Sequence, residues 1–240
     1  MENTKDKVAY VTGGSKGIGY GVAEKLMAEG VHVVLTSRSP QAATEAADSL
    51  NAKGLPGKAV GVAADVRNLA AQQAAIKAAN EHFGPVDYVI ANAGVGHFAS
   101  IEDLSEQQWH DTIDINLTGV FNTIKASLAD LKTTEGYFIT IASLAGTNFF
   151  ARGAAYNASK FGLVGFTQAV MLDIRQHGIK TSTIMPGSVA TYFNNHVPSE
   201  ADAWKIQSED IGQIVVDLVK MPARVLPSKV EVRPSMPPKR

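Results

Sequence analysis

A regular alternation of short β-branched runs with longer segments of helical period most constrains how this chain can fold. Repeated strand–helix units of this kind are typical of a parallel sheet that has helices packed against it. Most of the runs are continuously apolar, as expected of strands that are covered on both faces. We therefore predict an α/β fold with a seven-stranded, doubly wound parallel sheet and helices on both faces. The predicted strands lie at residues 7–12, 31–36, 58–64, 86–91, 137–142, 180–185 and 229–233.

No linker, internal repeat or low-complexity tract interrupts the alternation. The 240 residues are therefore interpreted as one domain, 1–240, with a loose tail at 234–240. One predicted helix, 154–176, is apolar around most of its circumference. Such a helix must be covered on several sides, either by the sheet and a neighbouring helix alone or also by a second subunit.

Composition and charge exclude several classes of function. The chain contains no cysteine, which removes disulfide frameworks, thiolate metal sites and cysteine nucleophiles. Its 22 basic and 23 acidic residues give a net charge of −1, so no basic face for nucleic acid is indicated. The six histidines show no metal-ligand spacing, and no metal site is predicted.

The N-terminal residues 1–7 are polar and contain no apolar core of a secretory signal. Apolar runs elsewhere are far shorter than the roughly 18 residues that a membrane span needs. These features favour a cytoplasmic protein without a membrane partner.

A glycine-rich turn follows the first predicted strand and opens the first helix. Glycines at this position allow a tight turn and let backbone amides approach a pyrophosphate at the helix N-terminus. The turn predicts a dinucleotide site in a Rossmann-type domain, and a tight turn without a ligand is the alternative. Its candidate cofactor-binding residues are Gly13, Ser15, Lys16, Gly17, Ile18 and Gly19.

The end of the second strand indicates which dinucleotide binds. A site for the unphosphorylated cofactor expects an acidic residue there, to accept hydrogen bonds from the ribose hydroxyls. This chain instead has Arg38, and Lys16 lies on the same side in the glycine turn. Two cations favour a 2′-phosphate, so NADP(H) is the predicted cofactor, although Arg38 as a solvated loop charge is the alternative.

Tyr156 and Lys160 are four residues apart near the start of a predicted helix, which places both side chains on one face. That spacing alone is commonplace. Ser143, at the end of the fifth strand, adds a third polar group where side chains project into the ligand crevice. A neighbouring ammonium favours the phenolate form of tyrosine, so we expect Lys160 to lower the pKa of Tyr156.

Four motifs in the expected order resemble those of the short-chain dehydrogenase/reductase family, and the resemblance covers residues 5–235. The glycine turn 12–19 resembles T-G-x-x-x-G-x-G, and 92–94 its N-A-G segment. Residues 156–160 match Y-x-x-x-K, and 186–191 match P-G-x-x-x-T. The resemblance implies that Tyr156 is the general acid, Ser143 orients the carbonyl, Lys160 binds the nicotinamide ribose, and Asn116 holds a relay water. The further cofactor-binding residues that it implies are Asp65, Val66, Asn92, Ala93, Gly94, Pro186, Gly187, Val189 and Thr191.

The members that the chain resembles best are 3-oxoacyl carrier protein reductases. Carrier protein is acidic, and at two positions where those reductases have basic residues this chain has Thr134 and His177, with Lys132 and Arg175 nearby. Loops after the strand ends suggest an apolar or aromatic substrate pocket, and loop packing is the alternative for each of its residues. The candidate pocket residues are His97, Phe98, Leu144, Phe149, Phe150, Phe193 and Trp204.

These observations predict an NADPH-dependent carbonyl reductase that transfers hydride to a ketone or aldehyde. A noncatalytic NADPH-binding sensor on the same fold and an NAD-dependent alcohol dehydrogenase are the alternatives. The resemblance also implies a homo-oligomer. Because the chain has no D-G-G segment after residue 235, either a tetramer or a dimer is possible.

Overall fold

The computed structural model describes residues 3–236, so part of the predicted tail, 237–240, lies outside the described residues. A parallel sheet of seven strands runs in the order β3-β2-β1-β4-β5-β6-β7. This order confirms the predicted doubly wound α/β fold, and the strand positions agree with the prediction to within two residues. The strands are β1 (Val8–Val11), β2 (His32–Ser37), β3 (Ala59–Ala63), β4 (Tyr88–Ala91), β5 (Tyr137–Ile141), β6 (Lys180–Pro186) and β7 (Lys229–Val232).

Helices connect the strands, and sequence signals mark several of their ends. The Ser39 hydroxyl caps the second helix by accepting from the amide of Ala42. Ser105 and Gln108 form the predicted capping box of the fourth. Gly30 follows the first helix with a φ of +81°, a backbone conformation that suits glycine. The helices are α1 (Gly17–Ala28), α2 (Pro40–Asn51), α3 (Leu69–Phe83), α4 (Glu106–Ile113), α5 (Gly119–Thr134), α6 (Ala154–Ile174) and α7 (Ser208–Val219).

Two apolar layers cover the sheet, one on each face. Successive strand residues point to opposite faces, so Ala9 of β1 contributes to one layer and Tyr10 to the other. The first layer packs against α1, α2 and α7, and the second packs against α3, α5 and α6. Because the strands are parallel, their carboxyl ends lie at the same edge of the sheet, where the loops that follow β1 to β6 meet.

Close packing of α1 on α7 accounts for two of the glycines. A Cβ atom on Gly21 would lie 2.6 Å from the backbone of Ser208, and one on Gly212 would lie 2.5 Å from the carbonyl oxygen of Gly21. The helices can therefore approach this closely only without side chains at these two positions. Not all of the 21 glycines relate to a ligand site.

The long predicted helix 154–176 ends two residues earlier, at Ile174, and one 3₁₀ turn continues it to His177. Its buried side includes Leu163 and Thr167, whereas Phe161 and Leu172 remain 43% and 55% exposed. Within the described part of the chain, no helix combines the length and the apolar character needed to cross a membrane.

Candidate active site

A cavity of about 820 Å³ opens at the edge of the sheet where the parallel strands end. Segments that follow β1 to β6 contribute to its wall, and the sheet order reverses between β1 and β4, where doubly wound folds bind their ligands. The structure thus brings most of the predicted site residues together. Those that line the cavity are Gly13, Ser15, Lys16, Gly17, Ile18, Arg38, Asp65, Val66, Asn92, Ala93, Gly94, His97, Phe98, Ser143, Phe150, Tyr156, Lys160, Pro186, Gly187, Val189, Thr191 and Phe193.

The glycine turn needs its glycines for reasons of backbone geometry. Gly13 and Gly17 have φ angles of +63° and +57°, a region that residues with a side chain rarely adopt. A Cβ atom on Gly13 would also lie 2.9 Å from the Cα of Ala93. Gly19 does not line the cavity, so its contact with the cofactor stays a prediction. It packs behind the turn, where a Cβ atom would lie 2.4 Å from the carbonyl oxygen of Gly13.

The start of α1 is open to an anion. Lys16 is the residue that precedes the helix, and no side chain caps the first turn. The leading amide groups of a helix lack partners within the helix and carry the positive end of its dipole. Because Ser15, Lys16 and Gly17 line the cavity here, the arrangement fits a phosphate group.

Thr12 and Asn92 hold the glycine turn against the segment after β4. The Thr12 hydroxyl accepts from the amides of Asn92 and Ala93, at 3.0 and 3.1 Å. The Asn92 side-chain amide donates to the carbonyl oxygens of Thr12 and Gly13, at 2.9 and 3.1 Å. Thr12 is not among the site residues predicted from the sequence. Its place as the first residue of the T-G-x-x-x-G-x-G motif was the available signal.

Two exposed cations, Lys16 and Arg38, lie on the cavity wall beside Ser37. The Lys16 ammonium lies 5.7 Å from the centroid of the Tyr192 ring. Arg38 forms no ion pair with any residue between 3 and 236, so its guanidinium is available to an anionic ligand.

Asp65, on the same wall, is already paired. Its carboxylate accepts from the Arg67 guanidinium at 2.7 Å, and Arg67 also reaches Asp111 at 3.5 Å. The bond from Arg67, and to a lesser degree the charge of Arg38, lower the pKa of Asp65. The carboxylate therefore stays ionised and fixes the turn after β3.

Ser143, Tyr156 and Lys160 come together in the cavity as predicted. Ser143 directly follows Ala142 at the end of β5, and the other two lie one turn apart at the start of α6. The Lys160 ammonium donates to the carbonyl oxygen of Ile141 at 3.1 Å and lies 5.7 Å from the centroid of the Tyr156 ring. Gly94 faces this ammonium, since a Cβ atom there would lie 3.7 Å from it.

Asn116 lies behind the cavity wall, which its neighbour Ile115 lines. A short π-helical turn, Asp114–Thr118, carries it between α4 and α5. Its side chain is fully buried and bonds in both directions to the backbone of Val95, at 2.8 and 2.9 Å. It also donates to the Ser159 hydroxyl at 3.0 Å. The observed partners position the segment after β4, and the relay water stays a prediction.

The pKa values of the tyrosine and lysine shift in opposite directions. Burial raises the pKa of Tyr156, and its contact with the Ser143 hydroxyl lowers it by less. Burial of the ammonium lowers the pKa of Lys160 to about 8. In the protein alone, burial rather than the charge of Lys160 determines the pKa of Tyr156, so the expected lowering of this pKa by Lys160 is not observed.

Aromatic rings also pack against Tyr156. Its ring centroid lies 5.4 Å from that of Phe98 and 5.7 Å from that of Phe193. Phe98 also contacts Phe150, at 5.9 Å. The predicted aromatic pocket thus exists on this part of the wall.

Three of the predicted pocket residues do not line the cavity. Leu144 packs against the backbone, where a Cβ atom on Gly187 would lie 3.1 Å from its side chain. Phe149 is 86% exposed, whereas Phe150 beside it is 48% exposed and lines the cavity. Trp204 lies against the Lys205 side chain instead. Loop residues that are adjacent in sequence point in different directions, and no periodic pattern predicts which one faces the cavity.

The segment after β6 also contains a buried ion cluster that the sequence analysis missed. Asp202 is only 5% exposed, and its two oxygens contact the Lys205 ammonium at 2.6 Å and the His196 ring at 2.7 Å. It accepts a further bond from the amide of Ser199, at 3.0 Å. These three bonds lower the pKa of Asp202 far below its ordinary value. The S-x-x-D spacing of a capping box was the available signal.

Comparison with known proteins agrees with this geometry. The fold and the site define a dinucleotide-binding type of oxidoreductase, with a glycine turn and a Ser-Tyr-Lys group in one cavity. The model of a family described as short chain dehydrogenase matches residues 7–202. The chain therefore belongs to the short-chain dehydrogenase family of oxidoreductases.

Its relatives include proteins of several activities. An uncharacterized oxidoreductase of Staphylococcus epidermidis is 33% identical over 98% of this chain and 100% of its own length. The 3-oxoacyl-[acyl-carrier-protein] reductase of Escherichia coli is 34% identical over 79% of this chain and 76% of its own. Among solved structures, an alcohol dehydrogenase of the archaeon Thermococcus sibiricus complexed with 5-hydroxy-NADP is 30% identical and superimposes with a TM-score of 0.88 over 98% of this chain and 99% of that one.

Proposed function

We propose that this protein is an NADPH-dependent carbonyl reductase that converts a ketone or aldehyde to an alcohol. The observation that carries the proposal is the convergence of Ser143, Tyr156 and Lys160 on the same cavity as the open start of α1. Two similar solved structures, the Thermococcus protein and a metagenomic short-chain oxidoreductase at 31% identity, are described as complexes with 5-hydroxy-NADP and with NADP.

The residues present fit a phosphorylated dinucleotide. The uncapped start of α1 would hold the pyrophosphate, and the positive φ angles of Gly13 and Gly17 shape the turn that lies against it. Arg38 and Lys16 would bind a 2′-phosphate, because both are exposed cations on the same stretch of wall. When bound, NADPH supplies the hydride that adds to the carbonyl carbon.

Tyr156 would donate the proton that the carbonyl oxygen needs as the hydride arrives. Its raised pKa keeps the phenol protonated at neutral pH, as a proton donor must be. The product is an alcohol, the cofactor is left oxidised, and Tyr156 regains a proton from solvent. Ser143 would donate a second hydrogen bond to the same oxygen and thereby hold and polarise the carbonyl group.

Lys160 would act on Tyr156 by its charge. The ammonium lies close enough to the phenol ring to stabilise the negative charge that develops on Tyr156 as the proton leaves. Among the described residues, its ammonium donates to the carbonyl of Ile141 alone, which leaves two of its three N–H groups for a ribose hydroxyl and a water.

A 3-oxoacyl thioester is a second candidate substrate, favoured by the named activity of the Escherichia coli relative. The absence of basic residues at Thr134 and His177 speaks against delivery by an acidic carrier protein. We also propose a homo-oligomer, a dimer or a tetramer. Exposed apolar side chains on α5 and α6 support this: Phe121, Phe161 and Leu172 are 44%, 43% and 55% exposed.

A substrate screen tests the proposed function. Ketones, diketones, aldehydes and acyl thioesters would each be mixed with the enzyme and NADPH. The loss of NADPH absorbance as hydride is transferred would be followed over time. The proposal expects turnover of at least one carbonyl class. NADPH binding without turnover of any of them would favour a noncatalytic sensor, and faster turnover with NADH would favour the NAD-dependent alternative.

A further inference from the structure

The part of the cavity next to Tyr156 has a wall of aromatic rings from three different loops. Phe98 follows β4, Phe150 follows β5, and Phe193 follows β6. Phe98 contacts each of the other two rings, at centroid distances of 5.9 and 6.3 Å, and both Phe98 and Phe193 contact the Tyr156 ring. The tilted and edge-on arrangements are those that aromatic pairs prefer. Any carbonyl held by the Tyr156 hydroxyl therefore has these rings as neighbours.

Two glycines leave the space that the rings occupy in these positions. A Cβ atom on Gly96 would lie 2.6 Å from the Phe193 ring and 2.9 Å from the Phe98 ring. A Cβ atom on Gly153 would lie 2.7 Å from the ring of Phe150. An isolated bridge between Ala99 and Gly153 ties the first two loops together. The aromatic wall is thus fitted to its backbone, and we treat it as a preformed surface.

No unpaired cation on the loop after β6 is available to an anionic substrate. His196 and Lys205 are the two basic side chains that this loop, residues 187–207, contributes to the cavity wall. Both are bound to the same buried carboxylate, that of Asp202, at 2.7 and 2.6 Å. Each of the two therefore already has a carboxylate partner within the loop.

Apolar side chains also lie outside the wall on the same loops. Ile101 is 77% exposed, Phe149 is 86% exposed and Val197 is 69% exposed. Each is within four residues of the ring that its loop contributes.

We propose that the substrate is a ketone or aldehyde whose larger substituent is an uncharged aromatic group, and that Phe98 and Phe193 determine this specificity. This inference rests on the proposed carbonyl reductase function. The aromatic ring of the substrate would lie against Phe98 and Phe193, and its carbonyl oxygen would accept hydrogen bonds from Tyr156 and Ser143.

Three matched ketones test this specificity in the wild-type enzyme with NADPH. Acetophenone carries the aromatic ring, butan-2-one replaces it with a short chain, and 4-acetylbenzoate adds a negative charge to the ring. We expect kcat/KM for acetophenone to exceed that for each of the other two by about tenfold or more, a discrimination usual for the loss of a group from an apolar pocket. Equal values for acetophenone and butan-2-one, or the highest value for 4-acetylbenzoate, would overturn the proposal.

Ring-removing variants test the assigned residues. Phe98→Ala and Phe193→Ala should each lower kcat/KM for acetophenone about tenfold while changing that for butan-2-one much less. Phe149→Ala is the matched control, because this neighbouring ring lies outside the cavity. Phe193→Leu keeps an apolar side chain and should fall between the wild type and Phe193→Ala. Equal losses for both ketones would indicate a purely structural role and contradict the assignment.

A binding measurement keeps the inference separate from the function on which it rests. Saturation-transfer NMR would follow the ring protons of acetophenone with each protein in the presence of NADP⁺. Transfer in the wild type that disappears in Phe98→Ala, without turnover of any ketone, would retain the aromatic site and contradict the proposed reduction. Turnover of ketones without a preference for acetophenone would support the proposed reduction and contradict the aromatic site. If the wild type shows no saturation transfer from acetophenone and no preference for it as a substrate, the inference is overturned.

Discussion

The Lys160 ammonium lies 5.7 Å from the centroid of the Tyr156 ring, one helical turn away on the same face of α6. Both groups are held away from bulk water, and this has opposite effects on them. The phenol is kept protonated, whereas the pKa of the ammonium falls to about 8. A proton donor and an easily discharged cation therefore share one site, and several measurable consequences follow for the free and the working enzyme.

The pH dependence of reduction should reflect Lys160 rather than Tyr156. As pH rises through about 8, Lys160 loses the charge that stabilises the developing phenolate, so kcat/KM should fall there. In Lys160→Arg the charge persists to much higher pH because a guanidinium is not deprotonated in this range. We expect this variant to lose the break near pH 8, and an unchanged break would contradict the assignment. A pH series of initial rates with a stable carbonyl substrate measures it.

Replacing Lys160 with methionine should stabilise the fold while it removes activity. Because the folded-state pKa is depressed below the ordinary value of 10.5 to about 8, the charged form is disfavoured on folding. The penalty is about 3 kcal/mol below pH 8, and it disappears as pH rises towards the unfolded-state pKa of 10.5. Urea unfolding at pH 7 and at about pH 10 would compare the two proteins, with the exposed Lys125→Met as control.

If the methionine variant is less stable than the wild type at pH 7, then the hydrogen bond from Lys160 to Ile141 outweighs the desolvation of its charge. The same account also requires the stability difference to shrink with rising pH. A difference that is constant between pH 7 and 10 would show that the titration of Lys160 does not contribute to it.

Arg38 should determine the choice between the two nicotinamide cofactors. Hydrogen bonds to a charged group contribute about 1.5–3 kcal/mol, so Arg38→Leu should lower kcat/KM for NADPH by about 10- to 100-fold and leave that for NADH nearly unchanged. Arg224→Gln, an exposed arginine away from the cavity, is the control. Steady-state kinetics with both cofactors measure the effect. A similar loss with NADH would assign Arg38 a structural role instead of phosphate recognition.

The exposed face of α6 should lie in a subunit interface. Phe161 and Leu172 are three turns apart on this helix and leave an apolar surface that a second copy would cover. Phe161→Asp and Leu172→Asp are each expected to shift the protein to a smaller species in sedimentation velocity. Phe149→Asp, which changes an exposed phenylalanine elsewhere, should not. An unchanged oligomer in all three variants, or a wild-type monomer, would contradict this prediction.

Local patterns in the sequence predict the fold and the central part of the site. The strands are continuous apolar runs, and the glycine turn and the Tyr156–Lys160 pair each depend on spacing within a few residues. Their positions in a doubly wound sheet then place them at one edge. The predicted contacts of Gly13, Ser143 and Tyr156 with the cavity follow from this topology alone.

Features that depend on the direction of a loop side chain could not be predicted. Phe149 and Phe150 are equivalent in sequence, and only the packed structure distinguishes them. The contacts that the Asp202 carboxylate receives from His196 and Lys205 arise from the path of one irregular loop. The rise in the pKa of Tyr156 could not be predicted because Phe98 and Phe193, whose rings contact it, are far from it in the chain.

The activity of Tyr156→Phe tests the central claim most directly. This change removes the one hydroxyl that is assigned to proton donation and keeps the ring that packs against Phe98 and Phe193. General acid catalysis typically contributes 10²- to 10⁴-fold to a rate, so kcat for reduction should fall by about that factor while the dissociation constant for NADPH stays unchanged. Reduction by Tyr156→Phe at a rate close to that of the wild type would contradict the account.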